Sequence, residues 1–430
     1  MNSQAITVHL HADADWIPLV QAMARHSGPV FGLDHDKTLR LTMAAEEILA
    51  YLSGPHPGTP LTLSLTPGAD HVNMLFSFAA ADVELWAMNI TAHDAVRNED
   101  ELQSLGLLLA ARMSDGMEIR REGANLILRL RLDRVYPRVT AARRHPFDPR
   151  GPVRCEPLGD PARIKEACLQ AAALYPAAVV PRAFATPGRV VDRISAGELF
   201  GVIALDQRDT VCGVMTWEPL SPTSMTFNGP YVFTRNTTSP ARLLTDAMIS
   251  SVARTSVSAV LSKLPTADLP LEAFESLGTL PLFDADGVPL SLPVWYRGMG
   301  EDNGLAVWSH PELEDYLRRE YQRLFLMRDI HLAVRQGERV SGRSVFATSL
   351  SPSASQALLT PMLDGADAEQ TINAHVRMLS AEGYRNILFH LDLSQSWQAA
   401  LAPALLGNNF RPRIILPHAG RADLLVLHHA

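Results

Sequence analysis

The stretch LTMAAEEILAYLSG, residues 41–54, decides how the first third of the chain folds. Leu41, Ala45, Ile48, Leu49 and Leu52 recur at helical spacing and, with Leu39, make a broad apolar face that must pack against another layer. Glu46 and Glu47 fall beside that face, where solvated positions on the outer side of an amphipathic helix are the plain expectation. Working outward, AITVHLHA (5–12) alternates as a strand, and DWIPLVQAMARHSGPVFG (15–32) carries a helical pattern to a Gly/Pro stop. PLTLSLTPG and HVNMLFSFAA form a strand pair around a Pro-Gly-Ala-Asp turn. LQSLGLLLAARMSDG is a third helix, and MEIRREGANLILRLRLDR is a second hairpin. The expected order is strand, helix, helix, hairpin, helix, hairpin.

At 430 residues, 47% hydrophobic and 20% charged, the chain is too apolar for disorder and too long for one ordinary core. A net charge of -8 lacks the concentrated basic face of a nucleic-acid binder. No run of about 18 apolar residues supports a membrane span. Cys155, Cys168 and Cys212 show no framework spacing, and the N-terminus lacks a basic flank with an apolar run. Both features point to a reducing cytoplasm without export.

Residues 134–154, RVYPRVTAARRHPFDPRGPVR, hold four prolines and six arginines without apolar periodicity, the signature of a solvated spacer. Beyond it, ARIKEACLQAAALYP is a helix, ELFGVIALDQRDTVCGVMTWEPL a hairpin of near-continuous apolar strands and SMTFNGPYVF a strand. TSPARLLTDAMISSVART is a helix and SAVLSKLP a strand, with LPLEAFESLGTLPLF a short helix running into another. From about residue 308 the pattern returns, with WSHPELEDYLRREYQRLFLMRDI as a helix. SVFATSLSP, SQALLTPML, AEQTINAHVRMLSAEGY, NILFHLDLS, SWQAALAPALLGNNF, RPRIILP and ADLLVLHHA follow. Setting GPY (229–231) against TPM (360–362) brings AVLSKLP near ILFHLDL, so an internal duplication is expected.

The first segment resembles the ATP-binding (GHKL) domain shared by anti-sigma-factor serine kinases and histidine kinases. That family places on one helix a glutamate that orients water and, four residues later, an asparagine that holds magnesium. Here Glu47, with Glu46 beside it, takes the glutamate position and Tyr51 the asparagine position. A neutral phenol is a poor ligand for a hard octahedral cation, which argues against kinase or ATPase activity and against a metal site. Phe78 stands at the adenine-reading aspartate, with Ala80 at a glycine and Asp82 too late to substitute. The glycine turn opening the third helix survives as Ser104-Leu105-Gly106, which gives Glu47, Tyr51, Ser104 and Gly106 as a vestigial nucleotide site.

The two later segments each resemble the acetyltransferase fold of the GNAT superfamily. Its splayed strand and Gln/Arg-x-x-Gly-x-Gly/Ala loop hold acyl-CoA through backbone N–H groups at a helix N-terminus, with glycines permitting close approach. In the first copy Arg235 opens the loop, Thr238 and Pro240 replace the glycines and Ala241 follows, so Arg235, Thr238 and Ala241 are the candidate acyl-CoA loop. Pro240 has no N–H to donate. In the second copy Gly365 stands alone between the acids Asp364 and Asp367, which would repel phosphate. Spacing gives no support to Glu218 or His390 as a general base, and His428-His429 would be flexible unless the last strand is pinned.

The expected fold class is α+β to α/β, an N-terminal GHKL-type α/β sandwich followed by two GNAT-like mixed-sheet domains. The expected boundaries are 1–133, a linker at 134–154, 155–300 and 301–430. The resemblances imply a cytoplasmic bacterial regulatory or adaptor protein that binds a protein partner or small ligand. An acyl-CoA-dependent N-acyltransferase and an ATP- or ADP-gated switch are the alternatives, so acetyl-CoA and ATP are the cofactors to test, with neither nucleic acid nor membrane as a partner.

Overall fold

Alternation of apolar and polar residues builds the first sheet. The computed structural model describes residues 5–54, 58–79, 85–91, 106–107, 109–122, 125–140, 144–283, 287–335, 337, 340, 342–351 and 354–429. In it β1 (Ile6–His11), β2 (Pro60–Pro67), β3 (His71–Ala79), β4 (Gly116–Glu122) and β5 (Asn125–Asp133) pair antiparallel in the order β1–β2–β3–β5–β4. Leu61, Leu63 and Leu65 of β2, Val72, Met74 and Phe76 of β3, and Leu126, Leu128 and Leu130 of β5 all point to one buried face. Burying each is worth roughly 1.5–3 kcal/mol.

Helices α1 (Ile17–Val30) and α2 (His35–Ser53) cover that face. Asp34 caps α2 by accepting the Lys37 N–H at 2.8 Å, satisfying one of the donors that a helix start leaves unpaired. With the helical residues 106–107 and 109–113, the strand, helix, helix, hairpin, helix, hairpin order is the one read from periodicity.

The second sheet is mixed, with seven strands in the order β11–β12–β10–β9–β8–β7–β6. They are β6 (Arg154–Pro157), β7 (Phe200–Leu205), β8 (Val211–Ser221), β9 (Ser224–Val232), β10 (Ala259–Pro265), β11 (Glu275–Phe283) and β12 (Pro289–Gly298). Only β9 and β10 run parallel, because α5 (Thr238–Val252) carries the chain back across the sheet between them. Helices α3 (Pro161–Leu174) and α4 (Pro187–Ser195) bury Ile164, Ala167, Cys168 and Val190 in one core, and α5 buries Ala241, Leu244 and Met248 in another.

The later region holds a parallel pair, β13 (Leu305–Ser309) and β14 (Arg328–Leu332), joined by α6 (Pro311–Arg323). A five-stranded sheet follows in the order β15–β16–β17–β19–β18. Its strands are β15 (Val345–Ser351), β16 (Gln356–Leu363), β17 (Asn386–Asp392), β18 (Phe410–Leu416) and β19 (Leu424–His429). Helix α7 (Ala368–Ala381) lies between β16 and β17, and the short α8 (Ser396–Ala399) and α9 (Ala402–Gly407) precede β18. The architecture is α+β with several mixed sheets. No helix among the described residues is long and apolar enough to cross a membrane.

The helix expected to run from 308 to 330 is shorter, and its two ends are strands. His310 caps α6, whose last turn closes at Leu324, and Phe325 then adopts φ +54°. A left-handed residue cannot continue a right-handed helix, so Arg328 onward is free to pair with β13. The 134–154 segment is more engaged than a spacer. Arg134 donates to the Phe31, Ala69 and Gly68 carbonyls, Tyr136 donates to Asp192 at 2.6 Å, and Phe147 bridges to Thr234. His428 and His429 are pinned in β19.

By packing, the chain separates into two units. The first is Met1–Val135 with Gly337–Pro352 and Gln356–Leu388; the second is Tyr136–Gln336 with Ser353–Ser355 and Phe389–Ala430. Within the first, Val345 joins the core of the N-terminal sheet, with Met362 and Leu363 packed against it. The buried Asn89 carboxamide donates to Ser344 O at 2.8 Å and accepts the Phe346 N–H at 2.9 Å, and the Arg343 guanidinium lies 4.2 Å over the Trp86 ring.

Candidate functional site

Three places carry the residues singled out from sequence. On α2, Glu46 and Glu47 are half-buried and engaged. Gln21 donates to Glu46 at 2.7 Å, and a Cβ on Gly106 would stand 2.7 Å from Glu47 Oε2. The missing side chain at 106 therefore lets that helical segment approach Glu47, and the two candidate residues meet. Tyr51, one turn further, belongs to the core at 6% exposure, and Phe78 is buried between Leu61 and Leu126. Ser104, Ala80 and Asp82 lie outside the described residues.

The first-copy groove is built by β9, β10 and α5. Pairing of β9 with β10 ends at Gly229–Pro265, while β9 continues to Val232 against β8. Hydrogen-bonding groups of successive strand residues point to opposite edges. Phe233 N donates to Cys212 O on the β8 side, so the N–H and C=O of Val232 face the opening towards β10. The Tyr175 hydroxyl lies against both, with its one proton available to either Val232 O or Asp268. It accepts the Val232 N–H at 2.7 Å and lies 3.1 Å from Val232 O and 2.6 Å from Asp268 Oδ2. Burial, and then the Asp268 contact, push the Tyr175 phenol well above its ordinary value, so it stays a neutral donor. Just before this point Thr266 donates to Pro230 O at 2.5 Å. Hydroxyl groups of the chain itself close the edge that an extended amide-bearing ligand would need.

The loop leading to α5 is partly spent. Arg235 is exposed, 3.3 Å from Asp148, and its N–H donates to Phe147 O. The Thr238 N–H goes to Asn236 Oδ1 at 3.2 Å, Pro240 has none, and Ala241, 1% exposed, donates to Thr237 O. Arg235, Thr238 and Ala241 share one turn without presenting a row of free amides to a phosphate. Glu218 on β8 is gripped by Arg193 at 2.8 Å and Lys263 at 2.9 Å. Burial would raise its pKa, but the two cations hold the carboxyl below the usual range, which suits an ion pair and not a general base. His390 on β17 is pushed down to about 4 by burial, too weak a base to take up a proton at neutral pH.

In the second copy the corresponding loop is filled by backbone. A Cβ on Gly365 would fall 2.1 Å from Ser344 N and 2.2 Å from Arg343 C. Asp367 Oδ1 accepts the Ser344 N–H at 2.6 Å, and Asp364 Oδ1 the Gly365 N–H at 2.9 Å. The two acids that would repel phosphate thus serve as acceptors for the chain's own amides.

Sequence pattern did not single out Tyr175, Asp268 or Ser344. Tyr175 ends α3, 57 residues from Val232, and no local signal connects them.

No protein-family model matches the chain, and no curated protein matches it. Among solved structures, a putative acetyltransferase from Acinetobacter baylyi shares 12% identity over 34% of this chain and 94% of its own, at a TM-score of 0.28. A GNAT-family acetyltransferase from Staphylococcus aureus also shares 12% identity over 34% of this chain, with 99% of its own length and a TM-score of 0.25. At such TM-scores the likeness decides neither fold nor activity.

Proposed function

We propose that the chain is a regulatory or adaptor protein that binds a protein partner or small ligand, built from a degenerate anti-sigma-kinase-like domain and two acetyltransferase-like domains that have lost their cofactors. The observation that carries this is the Tyr175 hydroxyl on both main-chain groups of Val232. Acyl-CoA would meet a strand edge already taken at Val232 and, before α5, amides of Arg235, Thr238 and Ala241 already paired within the chain, with none at Pro240, which argues against that cofactor. In the N-terminal segment, the core residues Tyr51 and Phe78 offer, at those two positions, neither a carboxamide for magnesium nor a carboxylate for adenine. Free Cys155, Cys168 and Cys212 accord with a cytoplasmic setting.

The test is isothermal titration of the whole chain with acetyl-CoA, CoA and MgATP in turn. Silence with all three is expected. Micromolar heat from acetyl-CoA that disappears in Arg235→Ala would establish the acyltransferase alternative, which the parallel β9–β10 pair spanned by α5 favours. A nucleotide-dependent rise in melting temperature would establish the ATP- or ADP-gated switch, since a ligand selective for the folded state must stabilise it.

A further inference from the structure

The β18–β19 hairpin and α6 carry buried polar groups that meet no hydrogen-bond partner among the described residues. Register places Pro412 opposite Leu427 and Ile414 opposite Val426, so Arg413 is the extra residue of a β-bulge; Arg411 faces His428. A bulge re-aims its side chain, and bulges concentrate where a side chain is needed off the regular pleat. Helix α6 packs on β18 and on α9, and the Arg413 charge acts on both the Tyr316 phenol and the His428 ring. Among the described residues, Tyr316 Oη, Arg413 Nε and both ring nitrogens of His428 are buried and meet no hydrogen-bond partner. His428 is only 5% exposed. Buried polar groups are nearly always paired, so four orphaned atoms on three neighbouring side chains require an explanation.

The local charge is one-sided. Burial and then Arg413 push the His428 imidazole down to about 4, so it is neutral with one N–H to donate. Burial, and then the Glu320 carboxylate, raise the Tyr316 phenol, against the pull of Arg323, Arg319 and Arg413. Glu320, the acid of this group, is 2.6 Å from Arg323, which leaves Arg319 and Arg413 without an ion-pair partner among the described residues. Cations outnumber acids around the phenol, and Glu320, the acid that acts on it, is paired to Arg323.

We propose that Tyr316, Arg413 and His428 form a buried binding site for one oxyanion, the carboxylate or phosphate group of a small acidic ligand, between α6 and the β18–β19 hairpin. Arg413 supplies a charge-assisted donor from Nε, Tyr316 a hydroxyl and His428 a ring N–H, the donor set a carboxylate or phosphate accepts best. The assignment goes beyond the function proposed above and is independent of it, because silence toward acetyl-CoA and MgATP leaves this site untouched.

The experiment titrates sodium acetate and inorganic phosphate separately into the full-length chain, with the His428 imidazole followed by nitrogen-15 NMR. A saturable shift of that ring is expected with at least one anion, and the probe that saturates first identifies the carboxylate or phosphate source. The shift should vanish in Arg413→Met and weaken by about tenfold in Tyr316→Phe, the loss of one hydrogen bond to a charged group. Tyr316→Phe keeps the ring and its packing, so it remains decisive if Arg413→Met fails to fold. The assignment is overturned if neither anion moves the His428 signal up to about 50 mM, far above a millimolar dissociation constant. A shift of undiminished size and midpoint in Tyr316→Phe, or an ordered water alone bridging the three side chains in a crystal structure soaked with both anions, would also overturn it.

Discussion

The two loops that precede α5 and α7, which the sequence pattern matched with one another, are closed in different ways. In the first, a rotatable side chain, Tyr175, fills the strand edge, and the loop residue three before the helix, Arg235, is exposed. In the second, the residue three before the helix is Gly365, and the backbone of Arg343–Ser344 lies against it with no room for a methyl group. One closure depends on a hydroxyl, the other on main-chain packing. Side-chain closures can be removed with the fold intact, whereas backbone closures are part of the core.

The largest expected effect breaks the second closure. Gly365→Ala forces a Cβ into the Arg343–Ser344 backbone and should cost about 3 kcal/mol or more, because neither partner is a flexible side-chain end. At the matching position of the first loop, Arg235→Ala should stay within about 0.5 kcal/mol, as surface changes generally do. Urea unfolding of the full chain measures both, and equal effects would abolish the contrast.

Next comes Asn89→Ala, which tests whether the N-terminal sheet and the 343–388 region fold as one body. The substitution orphans Ser344 O and Phe346 N together in a buried place, for about 2–3 kcal/mol. If the two parts are independent, calorimetry will show one transition shifted and the other unchanged. A single cooperative transition moving as a whole is the expected result.

The two helices also bury unlike polar residues, Thr245 on α5 and His375 on α7. Burial pushes His375 down to about 4, well below the ordinary 6.5, despite its contact with Thr371 O. Between those values the unfolded chain takes up a proton that the folded chain refuses. The contribution is therefore whole above pH 6.5 and is lost as pH falls towards 4, at up to about 1.4 kcal/mol per pH unit. Urea midpoints at about pH 7.5 and 5.5 should fall more steeply for the native chain than for His375→Gln, in which that proton-linked slope is gone. Identical slopes would mean that the ring is accessible to solvent.

Much of the fold was legible from residues 41–54 and their surroundings, because a half-buried antiparallel sheet and amphipathic helices write their periods directly into the chain. The break at Phe325 was not, since Tyr316 to Ile330 keeps apolar residues at workable helical spacing and only the left-handed turn ends the helix. The α4 helix and β12 were missed as well, the latter because its Pro289 and Pro293 read as loop. At the site, absence was readable and occupation was not. Pro240 and Tyr51 announce missing donors and ligands by residue type alone. What replaced them, Tyr175 on Val232 and Ser344 on Asp367, is a contact between distant residues that no spacing rule encodes. Gly365 is the exception, an isolated glycine whose neighbour could have been suspected but not named.

The smallest expected effect concerns Tyr175 itself. Tyr175→Phe keeps the ring, edge-on to Tyr231 at 5.2 Å, and removes only the hydroxyl. The Val232 N–H then loses its acceptor and Asp268 its donor, at a cost of about 1 kcal/mol because water can reach a groove opened at its rim. Local opening should exceed the global loss, so the Val232 amide should exchange about tenfold faster while amides in the N-terminal sheet keep their protection. Unchanged exchange at Val232 would mean that the hydroxyl is incidental and that β10 or Thr266 closes the edge. Acetyl-CoA should still fail to bind the variant, because Pro240 and the paired amides of Arg235, Thr238 and Ala241 remain. A gain of binding on losing one oxygen would instead make Tyr175 the sole obstacle and the first copy an acyltransferase held shut.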